Sequence, residues 1–251
     1  MRLPRLPFKQ LLRAFQKRSD QPLNMTSVQL ADMRKPYESG TLLEKDLPSR
    51  DPIKLFETWF NEVKDAGFMF EPNAVTLATS TKSGIPSSRM VLLKGFGQDG
   101  FVFFTNYESR KGKELEENPN ACLLFYWDRQ NRQVRVEGTV EKVSKEVSEQ
   151  YFHRRPRISQ LAAAASTQSE PMESRAVLEA KMKALEEEYK DASKEVPKPS
   201  FWGGYCLSPS RMEFWQGHSS RLHDRIVFRK GDPSGVAQPA APGWVMERLY
   251  P

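Results

Sequence analysis

The sequence predicts a mainly β protein with added helices, in which the strands form a closed antiparallel barrel. Eight or so short apolar segments have strand-like alternation, and turn signals join the early ones directly as hairpins rather than through helices. The 251 residues suffice for one or two domains, and the apolar fraction of 38% allows a packed core.

The first predicted element is a helix that begins at Asp51 and ends at Gly67. Asp51 is a favourable N-cap, Pro52 fits the first turn, and Gly67 is a common stop. The helix carries its apolar side chains on one face: Ile53, Phe56, Phe60 and Val63.

The remaining elements are predicted from the alternation of apolar and polar residues, from turn sequences and from residues that end helices or strands. Strands are predicted at Ala74–Ser80, Ser88–Phe96, Phe101–Asn106, Ala121–Trp127, Gln133–Val143, Gly204–Leu207, Arg211–Gln216, Leu222–Arg229 and Trp244–Leu249. Turn sequences at 82–84 and 98–100 join the first three strands and predict an antiparallel meander. Further helices are predicted at Ser109–Asn118, Lys145–His153 and Met172–Lys190, and loops at Val196–Pro199 and Gly231–Gly243.

The formal net charge of +6 comes from the N-terminus. Residues 1–19 contain six basic side chains and no acidic one, and the rest of the chain has 32 basic and 32 acidic residues. A neutral body argues against a nucleic-acid-binding surface. No apolar stretch approaches the ~18 residues of a membrane helix, so we expect a soluble protein that binds no membrane.

The basic segment 1–32 is expected to be a disordered or targeting extension, and residues 33–251 to form one domain. Spaced apolar residues among basic ones are typical of a mitochondrial presequence, although serines are few. Cys122 and Cys206 lie far apart, which favours a reducing compartment over a disulfide scaffold. We therefore expect a cytoplasmic protein, with mitochondrial targeting as the alternative.

Motifs of several common enzyme classes are absent from the sequence. It contains no GxGxxG after a strand, no GxxxxGK[ST], no HExxH and no GxSxG. Dinucleotide binding, P-loop phosphoryl transfer, zinc proteolysis and α/β-hydrolase chemistry therefore lose their main support. The three histidines, His153, His218 and His223, are too scattered to indicate a metal site.

Basic residues within predicted strands are the first candidates for chemistry. Arg221, His223 and Arg225 alternate with other residues, so a period of two places the three side chains on one face. Such groups repel each other, which indicates an anionic ligand over them. The alternative is an exposed strand face that pairs with Glu or Asp.

Three further clusters have the same character. Arg89 and Lys94 bracket an apolar strand segment, and Ser109–Lys113 combines a hydroxyl, helix-start N–H groups and cations. Tyr151–Arg157 contains three arginines. Together the clusters suggest one or two phosphate monoesters, with aromatic residues available for a flat ring.

Six ordered motifs connect the chain to a known family. They are Arg89–Phe96 (RMVLLKGF), Phe103–Gly112 (FFTNYESRKG), Asn131–Gly138 (NRQVRVEG), Glu213–Gly217 (EFWQG), Arg221–Arg225 (RLHDR) and Glu247–Pro251 (ERLYP). All six closely resemble the pyridoxine (pyridoxamine) 5'-phosphate oxidase family, and the similarity extends from about Met33 to the C-terminus. One departure is Leu161, where the family usually has glycine, and it leaves the path of the surrounding loop open.

The resemblance implies an FMN-binding split β-barrel that forms a homodimer, with each FMN at the subunit interface. Matched by motif position, the implied FMN contacts are Arg89, Met90, Val91, Leu92, Lys94, Phe104, Thr105, Arg110, Lys111, Gln133, Gln168, Ser169, Trp215 and Arg225. The implied contacts to a phosphorylated B6 vitamer are Lys94, Tyr151, Arg155, Ser159, Arg221, Leu222 and His223. Among these, Arg221 and His223 are the implied catalytic residues.

The implied activity is oxidation of pyridoxine 5'-phosphate or pyridoxamine 5'-phosphate to pyridoxal 5'-phosphate, with dioxygen as electron acceptor and hydrogen peroxide as by-product. Split barrels host several functions, so the alternative is a non-catalytic binder of flavin or pyridoxal phosphate. That alternative requires that the implied FMN contacts are present and that the implied substrate contacts are altered. Both sets of residues are present in this sequence. A nucleic-acid-binding barrel is disfavoured by the balanced charge of residues 20–251.

Overall fold

A computed structural model describes Tyr37 and residues 39–251 of the chain. The basic segment 1–32, with its predicted disorder or targeting role, lies outside the described residues. The described residues belong to one unit, Tyr37–Pro251. None of their helices is both long and apolar enough to cross a membrane.

Nine antiparallel strands form one sheet in this part of the chain, and six of them close into a barrel. The strands are β1 (Ala74–Ser80), β2 (Pro86–Gly97), β3 (Gly100–Asn106), β4 (Asn120–Trp127), β5 (Arg132–Lys142), β6 (Trp202–Gln216), β7 (Asp224–Lys230), β8 (Gln238–Pro239) and β9 (Trp244–Arg248). Their hydrogen-bonded order is β3-β2-β1-β4-β5-β6-β7-β9-β8, and a pairing of β3 with β6 closes the ring. The predicted mainly β class is confirmed.

Five α-helices accompany the barrel within the described residues. They are α1 (Pro52–Ala66), α2 (Arg110–Glu117), α3 (Lys145–Arg154), α4 (Arg157–Ala165) and α5 (Arg175–Glu188). Helix α1 begins as predicted, since the Asp51 carboxylate accepts an N–H bond from Ile53 at 2.9 Å. It ends as predicted at Gly67, which has a φ of 68°.

Helix α4 is missing from the sequence predictions, which treat this segment as a loop. It follows Pro156 and ends in four alanines, a composition that favours a helix. Leu161 is 4% exposed and packs with Phe152 and Trp202. The departure from glycine at this position therefore places a good helix former inside a helix.

Two predictions near the C-terminus are wrong in their bounds. Residues 204–207 and 211–216 belong to one continuous strand, β6, rather than two. Pro209 does not break the strand because it pairs opposite Gly138 at a bulge, where a missing N–H is tolerated. The predicted loop 231–243 also contains the short strand β8.

Phe56 lies at the centre of the core between helix α1 and the barrel. Its ring centroid is 4.9–6.1 Å from those of five other aromatic side chains: Phe60, Phe96, Phe101, Phe125 and Trp127. The Phe56 side chain is fully buried. Aromatic contacts, two of which are edge-to-face here, add to the free energy of burial, so this side chain attaches α1 to strands β2, β3 and β4.

Phe56→Ala is expected to lower the free energy of unfolding by about 3–5 kcal/mol, because a buried ring is lost and a cavity remains. Phe70→Ala is the matched control, since Phe70 is 99% exposed and its loss should change stability by less than about 0.5 kcal/mol. Urea denaturation at one fixed protein concentration measures both variants. Equal losses of stability would contradict the packing described.

Candidate active site

A cavity of about 660 Å³ lies beside strands β2 and β3 and helices α4 and α5. The polar and charged residues of its lining include Arg89, Thr105, Lys111 and Gln168 on one side, and Arg175 and Glu179 on helix α5. Apolar surface comes from Met90, Val91, Phe104 and Trp202. The volume is within the range of small-ligand sites, about 300–1,000 Å³. The cavity therefore offers apolar walls to a flat ring and cations to an anion.

Arg89 and Arg110 converge on one buried carboxylate, that of Glu114. Arg110 Nε donates to Glu114 Oε1 at 2.9 Å, and Arg89 Nη2 lies 3.3 Å from Oε2. The hydroxyls of Thr79 and Ser87 donate to Oε2 at 2.5 and 2.6 Å. Burial alone would raise the pKa of Glu114, but these hydroxyl bonds and the two arginines lower it to about 2. Glu114 is therefore ionised and ties both cations to helix α2.

Lys111 follows Arg110 in helix α2, and its ammonium group donates to neutral hydrogen-bond acceptors. Its Nζ donates to Thr105 Oγ1 at 3.1 Å and to Gln168 Oε1 at 2.6 Å. Burial lowers the pKa of Lys111 to about 8, and the charge of Arg89 acts in the same direction. An ammonium that is partly desolvated among neutral groups would be stabilised by an anionic ligand.

Phe104, Tyr151 and Trp202 form an aromatic stack at the cavity. The ring of Phe104 lies 4.1 Å from that of Tyr151 and 5.5 Å from that of Trp202, measured between centroids. The Arg155 guanidinium lies over the Trp202 ring at 4.7 Å. Its Nη1 is buried and has no hydrogen-bond partner among the described residues. A buried cationic donor without a partner is a candidate anion contact.

A second cluster lies on strands β5, β6 and β7. Gln133 pairs with Trp215, and Trp215 pairs with Arg225, in neighbouring strands. The His223 ring packs 5.0 Å from the Trp215 ring, and the Tyr37 ring packs edgewise against both. These five described residues are all outside the cavity lining. One chain therefore presents its predicted cofactor residues in two separate groups.

The prediction that Arg221, His223 and Arg225 share one strand face is wrong. A turn closed by an N–H bond from Arg221 to the His218 carbonyl (3.1 Å) precedes β7, and Arg221 has a φ of 65°. Arg225 alone lies on the strand, where its Nε and Nη2 donate to Glu213 at 2.9 and 3.1 Å. The alternative interpretation, pairing with an acid, therefore holds for Arg225.

The remaining predicted contacts lie at the edges of these two groups. Lys94 is exposed at the bulge in β2, and Ser159 is half-buried in the first turn of α4. Leu222 is 71% exposed in the turn before β7. Leu92 is half-buried on β2, and Ser169 is exposed in the loop after α4. Their roles stay predictions, because in one chain none of these described residues lines the cavity.

Several site residues are absent from the sequence predictions: Glu114, Thr79, Ser87, Trp202 and Tyr37. Glu114 had one local signal, an acid four residues after Arg110 on the same predicted helix. Its other partners are up to 35 positions away in the sequence. Only the pairing of β1 with β2 and the packing of α2 bring these groups together.

Two family models match the chain. A family model described as "Pyridoxamine 5'-phosphate oxidase" matches residues 64–189. A second, described as "Pyridoxine 5'-phosphate oxidase C-terminal dimerisation region", matches residues 202–251. The chain belongs to the pyridoxine/pyridoxamine 5'-phosphate oxidase family. Members of this family are oxidoreductases, and the chain is therefore an enzyme of that class.

Relatives of this oxidase family match most of the chain. Pyridoxine-5'-phosphate oxidase of Bos taurus is 52% identical over 234 residues, which cover 90% of this chain and 88% of the relative. Pyridoxine/pyridoxamine 5'-phosphate oxidase of Bombyx mori is 50% identical over 232 residues, or 90% of each chain. The structure of PhzG from Burkholderia lata 383, in complex with tetrahydrophenazine-1-carboxylic acid, has a TM-score of 0.75 and 28% identity, and covers 86% of this chain and 100% of that chain. The resemblance found in the motifs and the split-barrel fold are both confirmed.

The low pKa of Lys111 predicts a pH dependence of stability in the flavin-free oxidase. Folded Lys111 loses its proton near pH 8, whereas an unfolded lysine keeps it up to about pH 10.4. The unfolded state therefore binds more protons between these pH values, and wild-type stability should rise with pH across that window relative to Lys111→Met.

Urea denaturation at several pH values between 7 and 11 measures this difference. Lys113→Met on the same helix is the control, since Lys113 is 62% exposed and should leave the wild-type pH profile unchanged. A Lys111→Met profile parallel to that of the wild type would contradict the desolvation of Lys111.

Proposed function

We propose that this enzyme oxidises pyridoxine 5'-phosphate or pyridoxamine 5'-phosphate to pyridoxal 5'-phosphate, with FMN as cofactor and dioxygen as electron acceptor. The observation that carries the proposal is a cavity with an aromatic wall and two distinct sets of basic side chains in and beside it. One set is Arg89, Arg110 and Lys111, and the other centres on Arg155. Two phosphate monoesters, one on the cofactor and one on the substrate, match this arrangement.

The first set fits the phosphate of FMN. Three cations and the Glu114 carboxylate leave a formal charge of +2, which a phosphate monoester of about −1.5 to −2 balances. Met90, Val91 and Phe104 give the same cavity apolar surface for the flavin ring. Bound FMN supplies a two-electron acceptor that dioxygen regenerates with release of hydrogen peroxide.

The second set fits the phosphate of the B6 vitamer. Arg155 is held over the Trp202 ring and keeps a buried Nη1 without a partner among the described residues. The hydroxyls of Tyr151 and Ser159, which lie on the adjoining helices α3 and α4, can donate to the same phosphate. Arginine is suited to this contact because its planar fork matches phosphate oxygens.

A homodimer accounts for the second cluster of cofactor residues. Gln133, Trp215 and Arg225 lie outside the cavity of their own chain. The C-terminal family model that matches residues 202–251 is a dimerisation region, and it includes two of these residues. We infer that these residues of one copy complete the FMN site in the cavity of the other copy.

We assign His223 the role of a hydrogen-bond donor to the substrate. Its Nδ1 accepts the backbone N–H of His218 at 3.1 Å, so a neutral ring carries its proton on Nε2. His223 is therefore assigned to orient the substrate ring through Nε2–H rather than to remove a proton there. Arg221 is exposed in the preceding turn and is assigned to orient the same ring.

The test of this function is anaerobic reduction of the purified protein. A yellow protein whose flavin spectrum bleaches on addition of pyridoxine 5'-phosphate, and recovers on admission of air, supports the oxidase. A flavin spectrum that persists without change supports the alternative, a non-catalytic flavin-binding barrel. A colourless protein that takes up no FMN contradicts both.

Arg155→Ala is expected to raise the KM for pyridoxine 5'-phosphate about tenfold or more, because a charge-assisted bond to the substrate phosphate is lost. Flavin content per chain should stay near the wild-type value. Arg154→Ala is the matched control, since Arg154 is exposed at the end of the same helix. Loss of flavin with an unchanged KM would show that Arg155 serves the cofactor instead.

A further inference from the structure

The buried carboxylate of Glu114 contacts two members of a cation cluster, which is defined here as Arg89, Arg110 and Lys111. The Glu114 side chain is 5% exposed, whereas that of Arg110 is 60% exposed. The two arginines contact the same carboxylate, so their like charges repel each other, and without that carboxylate the exposed Arg110 side chain could turn toward water. The arrangement of the two arginines therefore depends on the carboxylate between them.

Each oxygen of Glu114 holds a different arginine. Oε1 accepts from Arg110 Nε, and Oε2 accepts from Arg89 Nη2. Ser87 Oγ contacts both Oε2 and Arg89 Nη2, so it links the carboxylate to that arginine. Arg110 is held through Nε, which leaves the donors of its two Nη groups for a ligand.

The Glu114 carboxylate is 5% exposed and both of its oxygens already accept from protein donors, so it is closed to a ligand. Of the two arginines that it contacts, Arg89 lines the cavity and Arg110 lies outside the lining of one chain, with its side chain exposed. The carboxylate is also ionised throughout the working range of an enzyme, because hydroxyl bonds and the arginines outweigh the effect of burial and lower its pKa to about 2. Glu114 therefore neither donates a proton to a ligand nor binds it directly, and any effect it has on ligand binding passes through the arginines.

We propose that Glu114 is a positioning residue that fixes Arg89, which lines the cavity, and Arg110, which shares the same carboxylate, so that both receive the phosphate of FMN. The inference rests on the proposed function, because it takes FMN as the ligand. If Glu114 acts through the phosphate contacts, its loss weakens the binding of FMN but not the binding of riboflavin, which has the same ring system and no phosphate.

Titration of flavin-free protein with FMN and with riboflavin, followed by quenching of flavin fluorescence, tests this role. Glu114→Gln keeps the size of the side chain but replaces one acceptor oxygen with an NH₂ group that faces arginine donors. FMN binding should weaken at least about tenfold, while riboflavin binding changes less than about threefold.

Glu116→Gln is the matched control on the same helix. The Glu116 carboxylate pairs with Lys142 and is 67% exposed, so both affinities should keep their wild-type values. Ser87→Ala is a milder second variant, which removes the hydroxyl shared by Glu114 and Arg89. Ser87→Ala should also weaken FMN binding and leave riboflavin binding unchanged. This variant tests the positioning role if Glu114→Gln fails to fold.

Two results would overturn the positioning role and leave the proposed function standing. One is an equal loss of affinity for FMN and riboflavin. The other is tighter FMN binding by Glu114→Gln, as expected if the carboxylate only repels the phosphate. A wild-type protein that binds neither flavin would overturn the proposed function, and this inference with it.

Discussion

Closure of the barrel by one long strand is the constraint on which the rest of the structure depends. Strand β6 has 15 residues; its first part pairs with β3 and its last part with β7. At ~3.3 Å per residue, Trp202 and Trp215 are separated by about 40 Å of strand. Trp202 lines the cavity, whereas Trp215 packs in the second cluster. The barrel therefore keeps the two groups of predicted cofactor residues apart within one chain.

This separation gives dimerisation a chemical role in the proposed function. In a two-fold symmetric dimer, the cavity of each copy can face the second cluster of the other copy. The dimer then has two complete sites. Carboxylates hold arginines in both clusters, since Glu114 holds Arg89 and Arg110 while Glu213 holds Arg225. Such preorganisation lowers the entropic cost of binding.

Local sequence signals predicted most of the barrel but little of the geometry at the site. Helix α1 and strands β1 to β5 follow from capping, turns and alternation. The predicted gap between strands 204–207 and 211–216 is wrong, because Pro209 is tolerated where it pairs with Gly138 at a bulge. The turn before β7 similarly removes Arg221 from the strand face. Glu114 had one local signal, Arg110 four residues earlier, whereas its contacts with Arg89, Thr79 and Ser87 follow from no local pattern.

Subunit complementation tests the shared site most directly. Lys111→Met alters the residues around the cavity, and Arg225→Ala alters the second cluster. Each variant alone should therefore oxidise pyridoxine 5'-phosphate poorly. Mixing the two under conditions that exchange subunits should produce mixed dimers with one intact site, and about one quarter of wild-type activity overall. A mixture that remains at the mean activity of the two variants would contradict a site completed by a second copy of the chain.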